Sequence, residues 1–109
     1  MKKNKRARLE AHGWRVGNTE DFLELSEEES ALVDTRLALS GSVRDRRTKQ
    51  GLSQAALARR LKSSQSRVAK LEAADPSVST DLLLRALFAL GATPRDVAAA
   101  IRKGRPVAA

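Results

Sequence analysis

The chain has 109 residues and a formal net charge of +8, with 21 Lys and Arg against 13 Asp and Glu. It contains no cysteine, which excludes disulfide scaffolds, thiol catalysis and cysteine-based zinc sites, and its single histidine, His12, has no partner at ligand spacing. No apolar run approaches the ~18 residues that span a bilayer, and the basic start leads into no hydrophobic segment. We therefore expect a cytoplasmic protein with no membrane partner, no metal and no cofactor.

The charge is unevenly distributed along the chain. Residues 16–35 hold seven acids and no base, whereas residues 36–74 hold ten bases against Asp45 and Glu72. The basic surplus therefore lies in the middle of the chain and not only in a tail. It favours a polyanion as the partner of this middle region, and a different partner, or none, for the acidic segment.

Residues 1–13 are charged and contain few apolar side chains, which predicts a disordered basic leader. Ser26 followed by Glu29 has the capping-box pattern, and the acids of the first turn match the dipole of a helix start. A long first helix is therefore expected from this point to about Lys49, with Gly51 ending it.

The apolar positions of this helix, Leu32, Leu39 and Val43, recur at helical spacing and predict its buried side. Gly41, flanked by two serines, is a weak point at which the helix can kink.

Four shorter helices are expected to follow, each opened by a residue that can cap it. They are predicted at 54–61, 65–73, 80–90 and 94–101, capped in turn by Ser53, by Ser64, by Ser79 or Thr80, and by Thr93. Alternation typical of strands is nearly absent, so the predicted fold class is all-α with five helices. Residues 103–109 are expected to form a loose tail.

The second and third helices are short and joined by a tight turn, as in a helix-turn-helix. Four apolar residues form a seam that would join this pair to the other helices: Leu57, Leu61, Val68 and Leu71. The start of the third helix then faces outward with Gln65, Ser66 and Arg67, followed by Lys70. Gln can bond adenine in two places and Arg can do so with guanine, so this side suits the major groove of DNA. The alternative is an ordinary helical hairpin with a solvated polar face.

The run at 43–72 reads VRDRRTKQGLSQAALARRLKSSQSRVAKLE, and residues 79–93 read STDLLLRALFALGAT. These segments resemble the phage-repressor (Cro, or XRE-type) DNA-binding domain, whose most specific motif here is GLSQxxLA at 51–58. The resemblance implies a lambda-repressor-like bundle, and the segment that precedes it here is expected to extend the first helix. It also implies that Gln54 contacts a DNA phosphate and braces Gln65, which reads adenine.

The resemblance assigns further DNA-contacting positions and one structural pair. Ser66 and Lys70 match groove-facing positions, and Ser64 matches a capping or phosphate-contacting position. Arg47 and Glu72 match a buried ion pair. The alternative for Arg47 is a plain surface cation.

The chain departs from the family pattern at Lys62, where the turn usually has Gly, and in the loop 73–79, which lacks basic residues. A left-handed non-Gly residue carries a strain of order 1 kcal/mol. Phosphate anchoring is therefore expected to rest on the helix termini and on Arg44, Arg59 and Lys62.

The acidic segment 14–35 precedes the expected DNA-binding domain at 36–102 and resembles the HigA-type antitoxins, whose partner is a small, typically basic mRNA-cleaving RNase. Four of its residues are candidates for binding this toxin: Phe22, Leu23, Leu25 and Glu28. The alternative to a toxin-binding segment is that the acids merely solvate the start of a helix and that Phe22 packs onto the bundle.

The sequence thus indicates a sequence-specific repressor of double-stranded DNA that acts as an antitoxin and regulates its own operon. A stand-alone XRE-type or phage-type regulator without a toxin is the alternative. We expect a homodimer, because one short helix supplies limited specificity, with Val97, Ala98 and Ile101 as a candidate interface. A bare protein-interaction module is a further alternative, which an absence of salt-sensitive duplex binding would favour. An enzyme acting on a small-molecule substrate is not expected, since paired His residues and a phosphate-binding glycine loop are absent.

Overall fold

The computed structural model describes residues 26–104, which form five α-helices and no strand. The helices are α1 (Glu27–Lys49), α2 (Gln54–Leu61), α3 (Gln65–Glu72), α4 (Thr80–Ala89) and α5 (Pro94–Gly104). The predicted all-α class and the long first helix are confirmed. The basic leader and most of the acidic segment lie outside the described residues. Within the described part, no helix combines the length and apolar character needed to cross a membrane.

The first helix begins with the capping box that the sequence predicts. The backbone N–H of Glu29 donates to the Ser26 hydroxyl at 3.1 Å, and the Ser26 N–H donates to the Glu29 carboxylate at 3.4 Å. Acids fill the first turn, and Arg46, Arg47 and Lys49 fill the last, so both ends complement the helix dipole. The helix continues without interruption through Gly41.

The buried side of α1 differs from the predicted one at Leu32, which is 51% exposed. Leu39 and Val43 are buried as expected. Leu32 shares a face with Leu39, but it lies two turns nearer the helix start, where residues 27–29 and 31 are also exposed. The next residue, Val33, is only 2% exposed, so this part of α1 is covered on the side of Val33 and open to solvent on the side of Leu32. The buried stripe starts at Val33 instead.

The shorter helices follow the predicted positions closely, and the differences lie at their ends. Observed α2 has the predicted bounds, α3 and α4 each end one residue early, and α5 extends three residues further. Thr93 and Asp96 exchange reciprocal hydrogen bonds, of 2.9 Å and 3.1 Å, which fix the start of α5.

The core gathers apolar residues from α1 to α4 and from the connections that follow α3 and α4. Its fully buried large side chains are those of Leu39, Val43, Leu57, Val68, Leu71, Leu83 and Leu87. Helix α1 packs against both α4 and α5, while α2 packs against α3 and α4. Each buried leucine contributes a few kcal/mol to stability by removing its surface from water. The packing leaves one side of the α2–α3 pair open to solvent.

Candidate nucleic-acid interface

The turn between α2 and α3 depends on a left-handed residue. Lys62 has φ 54° and ψ 46°, and its side chain is exposed. The N–H groups of Lys62 and Ser63 donate to the carbonyls of Arg59 and Ala58 at 3.2 Å and 2.9 Å. The sequence alone did not predict the shape of this turn, because Lys62 stands where the family usually has glycine. The lysine takes the conformation that glycine adopts without strain.

The turn leads directly into the start of α3. The Ser64 hydroxyl accepts from the backbone N–H of Arg67 at 3.1 Å and lies 3.2 Å from the Ser66 hydroxyl. Ser64 therefore caps α3 and also orders the next serine on the exposed surface.

The two sides of α3 differ sharply in burial. Val68 and Leu71 are buried in the core. The residues that the sequence predicts to face outward, Gln65, Ser66, Arg67 and Lys70, are all exposed. The geometry thus brings an amide, a hydroxyl and two cations onto one accessible side of an eight-residue helix.

The last residue of α3 is held by an arginine of α1. Arg47 Nε and Nη2 lie 2.5 Å and 3.0 Å from the two Glu72 carboxylate oxygens, and Nη1 donates to the Leu52 carbonyl at 2.7 Å. The Glu72 side chain is only 4% exposed. Hydrogen bonding to Glu72 raises the pKa of Arg47; burial opposes this effect and the Glu72 charge reinforces it. The contact is a bidentate ion pair that links α1 to the end of α3.

Gln54 also binds Glu72. Its side-chain amide donates to a Glu72 carboxylate oxygen at 3.1 Å. The family resemblance implied a bracing contact with Gln65, whereas the amide here is directed to the other end of α3. The reason is that Glu72 presents a buried carboxylate oxygen within reach of the first residue of α2, and a charged acceptor forms the stronger hydrogen bond.

The charge of the α2–α3 pair is positive without an opposing free acid. Glu72, the only acid between Gln54 and Ala73, is neutralised by Arg47. Five exposed cations remain in this stretch: Arg59, Arg60, Lys62, Arg67 and Lys70. The predicted anchor Arg44 is exposed on α1. Such a surface attracts a polyanion.

The remaining predicted sites fall partly outside the described residues. Three candidate toxin-binding residues, Phe22, Leu23 and Leu25, lie there, while Glu28 is exposed in the first turn of α1. Of the candidate dimer residues, Val97 packs partly against the core, and Ala98 and Ile101 are exposed.

One residue that sequence reasoning passed over stands out in this structure. Arg36 is 7% exposed, and its guanidinium donates to groups between Asp75 and Thr80, in the connection that follows α3. Its position gives a signal in the sequence, since residues 33, 36, 40 and 43 form a stripe at spacings of three and four. Arg36 occupies a place in that stripe where an apolar residue is expected.

The comparisons with known proteins agree with this geometry. A family model described as a helix-turn-helix domain matches residues 38–100, which run from within α1 into α5 and contain the whole α2–α3 pair. Comparisons with curated proteins and with solved structures gave no significant match. Domains of the matched family are typically non-enzymatic. The chain belongs to the helix-turn-helix family, as a domain of the XRE-like kind whose members are DNA-binding regulators.

Proposed function

We propose that the chain is a sequence-specific repressor that reads double-stranded operator DNA with α3. The observation that carries this proposal is the exposed side of α3, on which Gln65, Ser66, Arg67 and Lys70 stand beside a turn that holds a further cation. A helix of this width fits the major groove, and its first residues reach the base edges when its N-terminus enters first.

Each exposed side chain has a distinct expected role. Gln65 bonds the N6 and N7 positions of adenine, and Arg67 bonds O6 and N7 of guanine. Ser66 is a short donor or acceptor whose rotation is restricted by its contact with Ser64. Lys70, one turn along the helix, contacts a guanine or a phosphate as a point charge.

Phosphate contacts are expected to position α3 on the duplex. Arg44, Arg59 and Lys62 are exposed and supply the charge. Gln54 keeps one amide hydrogen on Glu72, and its second amide hydrogen remains for a phosphate oxygen. Ser64 can donate its hydroxyl hydrogen to a phosphate while it accepts from the backbone of Arg67.

The proposal is tested by selecting duplexes from a random pool with the full chain. A shared sequence that is bound more tightly than random duplex, with affinity that falls steeply as salt rises, supports it. Equal affinity for all duplexes contradicts sequence-specific repression. Two copies of the sequence at a spacing of about one helical turn would also support the proposed homodimer.

The turn residue Lys62 gives a prediction with two opposite effects. Lys62→Gly is expected to raise the free energy of unfolding by about 1 kcal/mol, because glycine adopts the positive φ without steric strain. The same change removes a proposed phosphate contact, so the salt dependence of DNA binding should fall by about one unit of slope. Urea unfolding and binding at several salt concentrations measure the two effects.

A matched variant separates strain from charge at this position. Lys62→Ala removes the cation but keeps the Cβ atom, so it should weaken DNA binding as much as Lys62→Gly without the gain in stability. If Lys62→Ala and Lys62→Gly are equally stable, the strain argument is wrong.

We further propose that the regulator is an antitoxin whose N-terminal region captures a small basic RNase. Glu27, Glu28 and Glu29 form an acidic first turn on α1, and the exposed Leu32 lies one turn further along. Acidic and apolar groups side by side suit a basic protein partner through steering and burial. A stand-alone regulator remains the alternative, and the product of the neighbouring reading frame distinguishes the two.

Deletion of residues 1–25 tests the antitoxin proposal, because it retains Ser26 and the cap of α1. We expect this variant, which lacks Phe22, Leu23 and Leu25, to capture a small basic RNase encoded beside it more weakly and to keep its DNA affinity. Glu28→Gln in the full chain should weaken capture of the RNase more at low salt than at high salt, because salt screens the attraction between charges. Capture that neither the deletion nor Glu28→Gln weakens places the partner site elsewhere, and a neighbouring frame that encodes no such protein favours the stand-alone regulator.

A further inference from the structure

Arg36 is a buried cation that has no carboxylate partner among its hydrogen bonds. Its Nη2 atom donates to the carbonyls of Asp75, at 3.2 Å, and Val78, and its Nη1 atom donates to the Thr80 hydroxyl at 3.3 Å. These acceptors lie 39 to 44 residues further along the chain. A buried arginine directed at backbone carbonyls fixes the path of the chain that carries them, because the planar fork holds several donors in one geometry.

All of these acceptors belong to the connection from α3 to α4 or to the first residue of α4. The Asp75 side chain is occupied within this connection, since it accepts from the backbone N–H and the hydroxyl of Ser77 at 2.8 Å and 2.7 Å. These hydrogen bonds lower the pKa of Asp75, so the carboxylate stays ionised and turned toward Ser77. Val78 is itself buried in the core. Arg36 thus binds a connection that is already ordered locally and fastens it to α1.

The connection leaves α3 through a strained residue. Ala74 is buried and has φ 57°, in the left-handed region, while the Asp75 N–H donates to the Lys70 carbonyl at 3.0 Å. A non-Gly residue persists in that conformation only where its surroundings determine it fully. The Arg36 hydrogen bonds begin at the very next residue.

Arg36 and Arg47 act on neighbouring parts of the same segment. They are 11 residues apart, which in an α-helix is about three turns and about 16 Å, so they lie on nearly the same face of α1. Arg47 holds Glu72, the last residue of α3, and Arg36 holds the chain from Asp75 to Thr80. One helix therefore fastens the end of α3 and its exit at two separate points.

We propose that Arg36 is a positioning residue for DNA recognition, which sets the angle of α3 by fastening the chain that leaves it. If Arg47 were the only attachment, α3 could still rotate about Glu72, which would act as a pivot. A second attachment removes that pivot and holds Gln65 and Arg67 in the geometry that base contacts require. Bidentate contacts to base edges depend on the orientation of the side chain, whereas affinity for random duplex comes from sequence-independent charge. This inference rests on the proposed function, since it concerns how α3 is aimed.

Two variants of the full chain test the proposal. Arg36→Lys keeps the charge and the aliphatic stem but loses the fork that reaches all three acceptors. Thr80→Val removes one acceptor and leaves the arginine intact. Arg85→Lys, an exposed arginine on α4, is the matched control. Affinity is measured for the duplex that the wild-type chain selects and for random duplex, with circular dichroism to verify folding and amide exchange to follow residues 75–79.

The variants are expected to stay folded but to distinguish the selected duplex from random duplex less well. Arg36→Lys should bind the selected duplex about tenfold more weakly, an effect typical of residues that act on a site through others, and random duplex as before. Thr80→Val should lose about two- to threefold on the selected duplex alone. Amide exchange at 75–79 should be faster in both variants and unchanged in Arg85→Lys.

The proposal is overturned if folded variants keep the wild-type ratio of affinities for selected and random duplex, even where exchange at 75–79 is faster. Should Arg36→Lys fail to fold, Thr80→Val decides by the same criterion. If the wild-type chain selects no sequence, the proposed function itself is wrong. If the wild-type chain distinguishes selected from random duplex and the variants do so equally well, only the role of Arg36 is wrong.

Discussion

Arg47→Ala is expected to lower the free energy of unfolding by about 3–5 kcal/mol, because it leaves the buried Glu72 carboxylate without its ion-pair partner. The change leaves the Glu72 carboxylate nearly inaccessible to water, with the Gln54 amide as its remaining side-chain donor. It also removes the side-chain donor to the Leu52 carbonyl, so the end of α3 and the segment before α2 each lose a side-chain contact with α1.

Urea unfolding followed by circular dichroism measures this effect. Arg44→Ala is the matched control, because Arg44 is an exposed arginine on the same helix and its loss should change stability by no more than about 0.5 kcal/mol. Equal stability of the two variants would show that the ion pair contributes nothing beyond a surface charge. Replacing Arg47 and Glu72 together by apolar residues should restore much of the loss, because no unpaired charge then remains buried.

Gln65→Ala and Arg67→Ala are each expected to weaken binding to the selected duplex by about 1–3 kcal/mol and to relax the base preference at one position. Each truncation removes a side chain that can form two hydrogen bonds to one base edge. Both residues are exposed, so the stability of the fold should change by no more than about 0.5 kcal/mol.

Competition binding with duplexes that carry single base changes measures both effects. Arg95→Ala, an exposed arginine on α5, serves as the control and should leave the base preference unchanged. A variant that loses the same factor on every duplex contacts the phosphate backbone instead of a base. That outcome for both Gln65→Ala and Arg67→Ala would refute direct reading of the bases by α3.

The helix starts could be predicted from the sequence because their causes are local. Ser26, Ser53, Ser64 and Ser79 each accept a hydrogen bond from a backbone N–H three residues on, and this spacing can be read directly from the chain. The exposed side of α3 followed from helical periodicity in the same way. The ends of α3 and α5 are less local, since packing and frayed final turns decide them.

The long-range contacts could not be predicted from periodicity. Leu32 has the spacing of a buried residue, but burial depends on which side of that turn is covered, and here the covered side is that of Val33. The partners of Arg36 lie about 40 residues away, and no local pattern shows that carbonyl groups would face it. Arg47 and Glu72 are 25 residues apart, and their pairing was expected only because the chain resembles a known family.

The contacts of Arg47 also close the helix-turn-helix segment on itself. Leu52 and Gln54 stand at its beginning and Glu72 at its end, and Arg47 and Gln54 join these points through side chains. The 21 residues from Leu52 to Glu72 therefore form a loop whose two ends are joined to each other through Gln54 and to α1 through Arg47. Helices α2 and α3 cannot separate without breaking these contacts, so under the proposed function α3 would approach DNA as one side of a closed unit and not as a free element.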